Sequence, residues 1–375
     1  MNKKIAYMRT ASIYDDSRAT KEIIALVQAG FSVIVIGWAK DEGAEEMCKK
    51  CLPTHNLELH LYRHYLEGGI GIKGLPFLVG YMKFAYSLLK VRRNEISIVH
   101  ACDLDAGIPA HYFCTKFKKK LIYDIYDYYI DTHYVPFFLK DIVEKKEISC
   151  INDANVTIIC TEERKAQITK AMPQKLVIIH NSPDIEDIDV SQDDKYDYAY
   201  CGVLSEGRLL REIIELYKEN TEKRVAVAGS GNLIDMIKTA DRQFSNLKYI
   251  GKLSYREVLE VEVKTKVLSA IYEPSIRNHQ LCAPNKFYEA LALGKPVIVC
   301  RGTGVDKIVE KENIGIVINY NAQDFFQALN TLLKDADKRI LMGRNAKRLY
   351  EQRYKWSIMS KRLVDVYFEE IGEPK

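Results

Sequence analysis

The strongest constraint on this chain is an alternation, met twice, of short apolar segments with amphipathic ones. In the first half KIAYMR (4–9), FSVIVIGW (31–38), ISIVHA (96–101), LIYDIYD (121–127), VTIICT (156–161) and KLVIIHN (175–181) read as strands. TKEIIALVQAG (20–30) reads as a helix closed by Gly30. A polar stretch, 182–197, breaks the pattern, and the alternation then restarts. YAYCG (198–202), RVAVAG (224–229), LKYIGK (247–252), VLSAIY (267–272), KPVIVC (295–300) and IGIVI (314–318) read as strands. LLREIIELYKEN (209–220), NLIDMIKTA (232–240) and NKFYEALALG (285–294) read as helices between them. Short, continuous runs rich in Ile and Val are what parallel strands covered on both faces look like. The expected class is therefore α/β, with two Rossmann-like domains facing each other across a cleft. Ligands in such sheets sit beyond the carboxyl ends of the strands. The chain has 375 residues, which suits two domains rather than one. The expected boundaries are 1–185 and 190–355, with a C-terminal helix (about 356–375) returning to the first domain.

Composition excludes little beyond the extremes. Hydrophobic residues make up 47% and charged residues 28%, the balance of a globular chain with a sizeable core. A net charge of +4 does not call for nucleic acid. Basic clusters at 90–94, 116–120 and 145–146 are read either as solvated faces or as a surface for an anionic membrane or acceptor. The nine cysteines sit mostly in apolar runs and form no disulfide framework, which suggests a reducing cytoplasm. Cys48 and Cys51 make one CxxC, but no second pair of matching spacing completes a zinc site, and no metal is expected. The first residues lack the apolar region of a signal peptide, and no run is long enough to cross a membrane.

The segment 283–300, APNKFYEALALGKPVIVC, carries the most chemistry. Pro284 suits the first turn of a helix. Asn285 and Lys286 then stand at the helix N-terminus, where unpaired N–H groups and the dipole favour an anion. Glu289 follows on the same face. A phosphate at the helix start and a ribose diol one turn along fit this spacing. An ordinary helix with a surface Lys–Glu pair fits it equally well.

This segment resembles the nucleotide-binding signature of the family-4 (group 1) glycosyltransferases, retaining enzymes of the GT-B fold. The matching residues are Pro284, Asn285, Lys286, Tyr288, Glu289, Ala292, Gly294, Lys295, Pro296, Val297 and Ile298. The segment 200–218 is similar to the strand, glycine loop and helix that open the family's C-terminal domain. The resemblance implies that Gly202, Gly229, Gly251, Lys252 and Leu253 line the nucleotide. It also implies that Arg208 and Lys286 hold the donor diphosphate, with Val203 standing where an Arg is frequent. Asn285 and Glu289 complete the nucleotide contacts.

The first half resembles the family more weakly. The segment 15–38 is similar to the opening of a bacterial subgroup, which makes Ser17 and Arg18 candidate acceptor or phosphate contacts. The segment 98–107 resembles the end of an acceptor-domain strand and offers Asp103 and Asp105 to the acceptor. Their Asp-x-Asp spacing is not read as a metal motif, because enzymes of this kind do not need the metal. YDIYDYY (123–129) places Tyr126 where the family has a His and Asp127 where it has a Glu. A glutamate expected eight residues before Glu289 is Leu281, so His279, Gln280, Leu281 and Cys282 are the candidates to read the donor sugar.

The resemblance implies transfer of a sugar from a nucleoside diphosphate, UDP favoured, to a glycan hydroxyl with retention, and no cofactor. Arg208, Lys286, Asp127 and Tyr126 are the expected catalytic residues. The implied acceptor is a lipid-linked oligosaccharide of capsule or exopolysaccharide synthesis, met at the inner face of the membrane. LPFLVGYMKFAYSLLKVRR (75–93) reads either as an interfacial helix or as a core helix with a basic outer face. Two alternatives are a sugar-nucleotide 2-epimerase of the same fold and a catalytically silent sugar-nucleotide-binding protein.

Overall fold

The computed structural model describes residues 4–64, 74–191 and 193–373. The expected linker and C-terminal helix include positions 192, 374 and 375, which lie outside the described residues. The chain divides into two compact units, Met1–His180 with Met359–Lys375, and Asn181–Ile358.

The first unit is built on a seven-stranded parallel sheet. Its strands are β1 (Lys4–Arg9), β2 (Ser32–Ala39), β3 (Leu57–Arg63), β4 (Ile96–Cys102), β5 (Lys120–Ile125), β6 (Val156–Ile159) and β7 (Leu176–Ile178). The spatial order is β3-β2-β1-β4-β5-β6-β7. Winding reverses between β1 and β4, whose last residues, Arg9 and Cys102, are register partners. Here lies the topological switch point, the natural ligand position of such a sheet. β3 is an addition to the strands read from sequence. It alternates Leu with charged and polar residues, pairs among the described residues only with β2, and is half-buried from Leu57 to Tyr62, as suits an edge. The helix Leu75–Val91 buries Phe77, Tyr81, Ala85 and Leu89, one per turn. Its aromatic content thus serves the core rather than an outward-facing apolar stripe.

The second unit carries a six-stranded parallel sheet. Its strands are β8 (Tyr196–Cys201), β9 (Val225–Ala228), β10 (Leu247–Gly251), β11 (Thr265–Ala270), β12 (Val297–Cys300) and β13 (Gly315–Ile318). The order β10-β9-β8-β11-β12-β13 puts its switch point between β8 and β11. The helix Asn285–Leu293 ends on Gly294, whose φ of 65° is the left-handed conformation that glycine adopts without strain. Pro284 is its N-cap rather than a residue of its first turn. Phe287, Tyr288, Ala290, Leu291 and Leu293 fasten this helix into the core, fixing the side chains at its start. All nine cysteines are free.

Candidate active site

In the second unit the switch point gathers most of the expected donor-side residues. Gly202 follows β8, and its N–H donates to the Ala228 carbonyl at 2.9 Å. Gly229 follows β9 and donates to the Gly251 carbonyl at 2.8 Å. A Cβ on Gly229 would strike the Gly202 backbone, so the two strand ends come this close because residue 229 is glycine. The Lys286 side chain lies against Gly202, in the space that a Cβ there would need. Its ammonium stands 4.9 Å from the centroid of the Tyr200 ring. Burial opposes the Lys286 charge, but its neighbours, Tyr200, Tyr272 and Glu289 foremost, outweigh it and raise its pKa. Lys286 therefore stays protonated, a fixed positive charge at the mouth of β8.

Arg208 reaches the same switch point from the loop after β8. Its guanidinium stacks 3.8 Å from the centroid of Tyr272, just past β11. It also lies 3.3 Å from His279 Nε2, while His279 Nδ1 lies 3.0 Å from the Glu273 carbonyl. A carbonyl only accepts and a guanidinium only donates. The two contacts therefore fix the neutral tautomer with its proton on Nδ1. Leu281 is half-buried at the end of the short helix Arg277–Gln280. Lys252 is exposed and Leu253 half-buried, directly after Gly251. Asn285 opens its helix and accepts from the Asn181 amide. Glu289 is only 3% exposed. It is hydrogen-bonded by Tyr255.

The first unit builds a different kind of site at its own switch point. Tyr126 follows β5, and its ring lies between two guanidinium groups, Arg9 at 4.3 Å and Arg18 at 4.2 Å. Its hydroxyl meets that of Tyr7 at 2.8 Å, and Tyr7 donates to Glu22 at 2.7 Å. Asp103 pairs with Arg9 and accepts from the N–H groups of Tyr126 (2.8 Å) and Asp127 (3.1 Å). Its φ of 61° is left-handed, a strained conformation held by these three partners. Asp127 pairs with Arg164 at 2.8 Å and keeps its carboxylate about half exposed. Asp105 is buried, hydrogen-bonded to Tyr129, and stands by His133, which stacks on Tyr129 at 4.1 Å. Burial raises the Asp105 pKa to about 6 against the opposing effect of His133.

Ser17 sits half-buried in the first turn of the helix Ser17–Gln28. Arg18 differs from its sequence reading. It is 4% exposed, and its donors go to Glu22 at 2.9 Å and to both oxygens of Asp124 at 2.7 and 2.8 Å. A buried guanidinium must be matched by carboxylates, and here two of them enclose it. Arg9, missed in the sequence, is the more accessible arginine. It ends β1 and holds both Asp103 and Asp16.

Residues 201–335 match the model of the family "Glycosyl transferases group 1". That match lies within the second unit. Over 84 residues, 22% of this chain, the sequence is 33% identical to D-inositol 3-phosphate glycosyltransferase of Corynebacterium kroppenstedtii. Over 82 residues, 21% of the chain, it is 29% identical to spore coat protein SA of Bacillus subtilis. The chain spans 18% and 22% of the length of these two curated relatives. The fold matches that of HepE from Anabaena, solved in complex with UDP, with a TM-score of 0.67 at 12% identity. That match covers 98% of this chain and 100% of HepE. The two parallel sheets are those of the GT-B glycosyltransferase fold.

Within the segment that matches the family, Glu273 also escaped the sequence reading. It stands just past β11 at the switch point, and its carboxylate lies beside Gly207, one residue from Arg208. Its N–H donates to the Gly207 carbonyl at 3.2 Å, and Ser275 donates to its Oε1 at 2.7 Å. Its position at a strand's carboxyl end was the available signal. In the first unit His100, Cys102 and Asp124 bring potential ligand atoms within 4.8 Å of one another. Both Asp124 oxygens already accept from Arg18, and His100 Nδ1 lies 2.6 Å from the Tyr367 hydroxyl. Burial holds the Cys102 thiol protonated. The trio is a hydrogen-bonded core element.

Proposed function

We propose that this chain is a retaining glycosyltransferase that moves a sugar from a nucleoside diphosphate, UDP favoured, to a glycan hydroxyl. The observation that carries this reading is the convergence of Lys286 and Arg208 on the glycine-lined switch point of the domain that matches the family. Two fixed cations suit a leaving diphosphate. Arg208 offers a fork for two phosphate oxygens, and Lys286 a point charge. The helix N-terminus at Asn285 adds partial positive charge. Gly202, Gly229, Gly251, Lys252 and Leu253 take the nucleoside, and Glu289 its ribose. His279 and Leu281 face the donor sugar together with Glu273.

In the reaction the bond from the anomeric carbon to the diphosphate oxygen breaks. The acceptor oxygen bonds to that carbon on the same face, and its proton passes to the leaving phosphate. Positive charge develops on the sugar and negative charge on the diphosphate, and the cations stabilise the latter. No strong protein base is required, and the cationic side chains take the part that a metal plays elsewhere. Asp103, Asp105, Tyr126 and Asp127 of the first unit serve the acceptor, with Ser17 at the same sheet edge. Arg18 acts through Tyr126 rather than by touching substrate.

The acceptor in this reading is a lipid-linked oligosaccharide of capsule or exopolysaccharide synthesis, met at the cytoplasmic face of the membrane. A surface in the first unit supports it. Tyr134, Phe137, Phe138 and Ile142 are 79%, 89%, 77% and 63% exposed. They fall at the start of the helix Phe137–Asp153, next to exposed Lys145 and Lys146. Large aromatics interleaved with lysines are the composition of an interfacial segment. No helix among the described residues is long and apolar enough to cross a membrane; the attachment proposed here is a peripheral one.

The test is a panel of UDP-, GDP-, ADP-, CMP- and TDP-sugars, read first by thermal shift and then by release of the nucleotide with and without glycan acceptor. A UDP-sugar that stabilises the protein and is consumed only with acceptor, in EDTA as well as without it, is the expected result. An epimerised donor formed without acceptor, or no turnover of any donor, refutes the proposal.

A further inference from the structure

Behind Glu289 lies a second carboxylate. Glu262 is 2% exposed, and its Oε2 has no hydrogen-bond partner. It sits in the last turn of the helix Tyr255–Val263, which packs through Leu259 and Val263 into the same core as Phe287 and Leu291 of the nucleotide helix. The titratable groups facing it are Glu289 and Lys286 from that helix and Cys201 from β8. Tyr255 faces it from its own helix. Burial holds the Cys201 thiol and the Tyr255 phenol neutral. The two carboxyl groups are thus closed off from water, and the one ammonium beside them, that of Lys286, is half-buried. If both carboxyl groups ionise, the pocket carries an uncompensated negative charge in a low-dielectric interior, which is costly. One proton on the pair restores neutrality. Glu289 receives a hydrogen bond from Tyr255 and shares a helix turn with Lys286, whereas Glu262 has an orphaned oxygen. The proton therefore belongs on Glu262.

We propose that Glu262 is a positioning residue of the nucleotide site, a neutral carboxylic acid whose proton keeps the charge of Lys286 available to the donor diphosphate. Ionised, it would be a second buried anion drawing on Lys286 and lowering the positive potential that a diphosphate meets. Burial first, and then Glu289, raise the Glu262 pKa, while Lys286 opposes them. Such a pair titrates as a unit, with one proton retained far above the ordinary carboxylate range. This inference rests on the reading of Lys286 and Glu289 as nucleotide contacts.

The experiment uses the full chain labelled at glutamate Cδ, with UDP as the probe. At neutral pH the wild type should show a protonated glutamate resonance that disappears in Glu262→Gln. Glu262→Gln should bind UDP within about twofold of wild type, because the amide reproduces the neutral acid. Glu262→Met is the second variant, should the amide not fold. A Glu262 resonance at the ionised shift would overturn the proposal. So would a loss of about tenfold or more in UDP affinity for a folded Glu262→Gln, which would mean that the anion itself is needed. Unchanged UDP affinity in both Lys286→Ala and Glu289→Ala would instead refute the nucleotide reading, and the resonance assignment would still stand.

Discussion

The Lys286 side chain occupies the space that a side chain on Gly202 would need. The end of β8 and the start of the nucleotide helix are therefore fitted to each other through a missing Cβ. Gly202→Ala should push the ammonium away from the switch point. With Lys286 as a diphosphate ligand, UDP affinity should fall about tenfold or more, about 1.4 kcal/mol, by calorimetric titration. The melting temperature should fall as well, since a side chain at the Gly202 φ of 154° is strained, so the affinity is read on the folded variant. Equal affinity for UDP in the variant would remove Lys286 from the site.

Arg208 makes a sharper case than Lys286, because its plane is already set against Tyr272 at 3.8 Å. Arg208→Ala should lower turnover by about 100- to 1000-fold, the cost of removing one preorganised donor to developing charge, about 2.7–4 kcal/mol. Arg208→Lys should recover little of it, since an ammonium offers neither the fork nor the stacking face. Steady-state kinetics on any accepted donor reads this. Full activity in Arg208→Lys would reduce the role to that of a point charge.

Much of this architecture is legible in the sequence because buried parallel strands are continuous apolar runs. β3 is the exception. Leu57–Arg63 alternates with Glu58 and His60, since its outer edge needs no cover. The site is less legible, and the reason is burial. Arg18 beside Ser17 reads as a candidate acceptor or phosphate contact, yet its carboxylate partner Asp124 arrives from β5, a neighbour that no local spacing announces. Nothing local marks Glu262 as buried either, since its helix also carries Arg256 and Glu260 on an exposed face. Arg9 reads as the polar end of a strand. Only the strand order, which sets β1 beside β4, turns that end into a switch point.

Tyr126 separates two like-charged guanidinium groups, and its hydroxyl continues through Tyr7 to Glu22. Tyr126→Phe keeps the ring and loses one hydrogen bond, so unfolding in urea should show a loss of about 1 kcal/mol. Tyr126→Ala should cost more in both stability and activity, because Arg9 and Arg18 would then face each other across a void. If the Phe variant lost as much activity as Ala, the hydroxyl itself would be a reacting group.

Asp105 should give the first unit opposite pH trends in activity and stability. Burial raises its pKa to about 6, opposed by His133. If the ionised carboxylate orients the acceptor, activity should fall as pH drops through about 6, and Asp105→Asn should lose that limb. Stability runs the other way. A folded pKa above the unfolded one means that the folded state holds the proton longer. This contribution is complete below the ordinary aspartate range and is lost as pH rises toward 6. Melting temperatures of the Asn variant should therefore slope less between pH 4 and pH 6 than those of wild type, about the interval between the two pKa values.

The exposed aromatics after His133 should anchor the acceptor side to lipid. Phe137 and Phe138 have almost no protein neighbours to lose, being 89% and 77% exposed. Replacing both by Ser should therefore leave the fold intact, within about 0.5 kcal/mol for surface positions. Binding to vesicles rich in anionic lipid should drop sharply, because two large apolar side chains leave the interface. Lys145→Glu with Lys146→Glu should weaken the same binding and make it less sensitive to salt, since near-surface lysines contribute about 1 kcal/mol each. Sedimentation with anionic and with neutral vesicles separates the two contributions. Turnover of a water-soluble acceptor should be unchanged in all of these variants, whereas turnover of a membrane-embedded acceptor should follow the binding. If vesicle binding is absent from wild type, or survives the double Ser replacement, the apolar tip is not a membrane anchor.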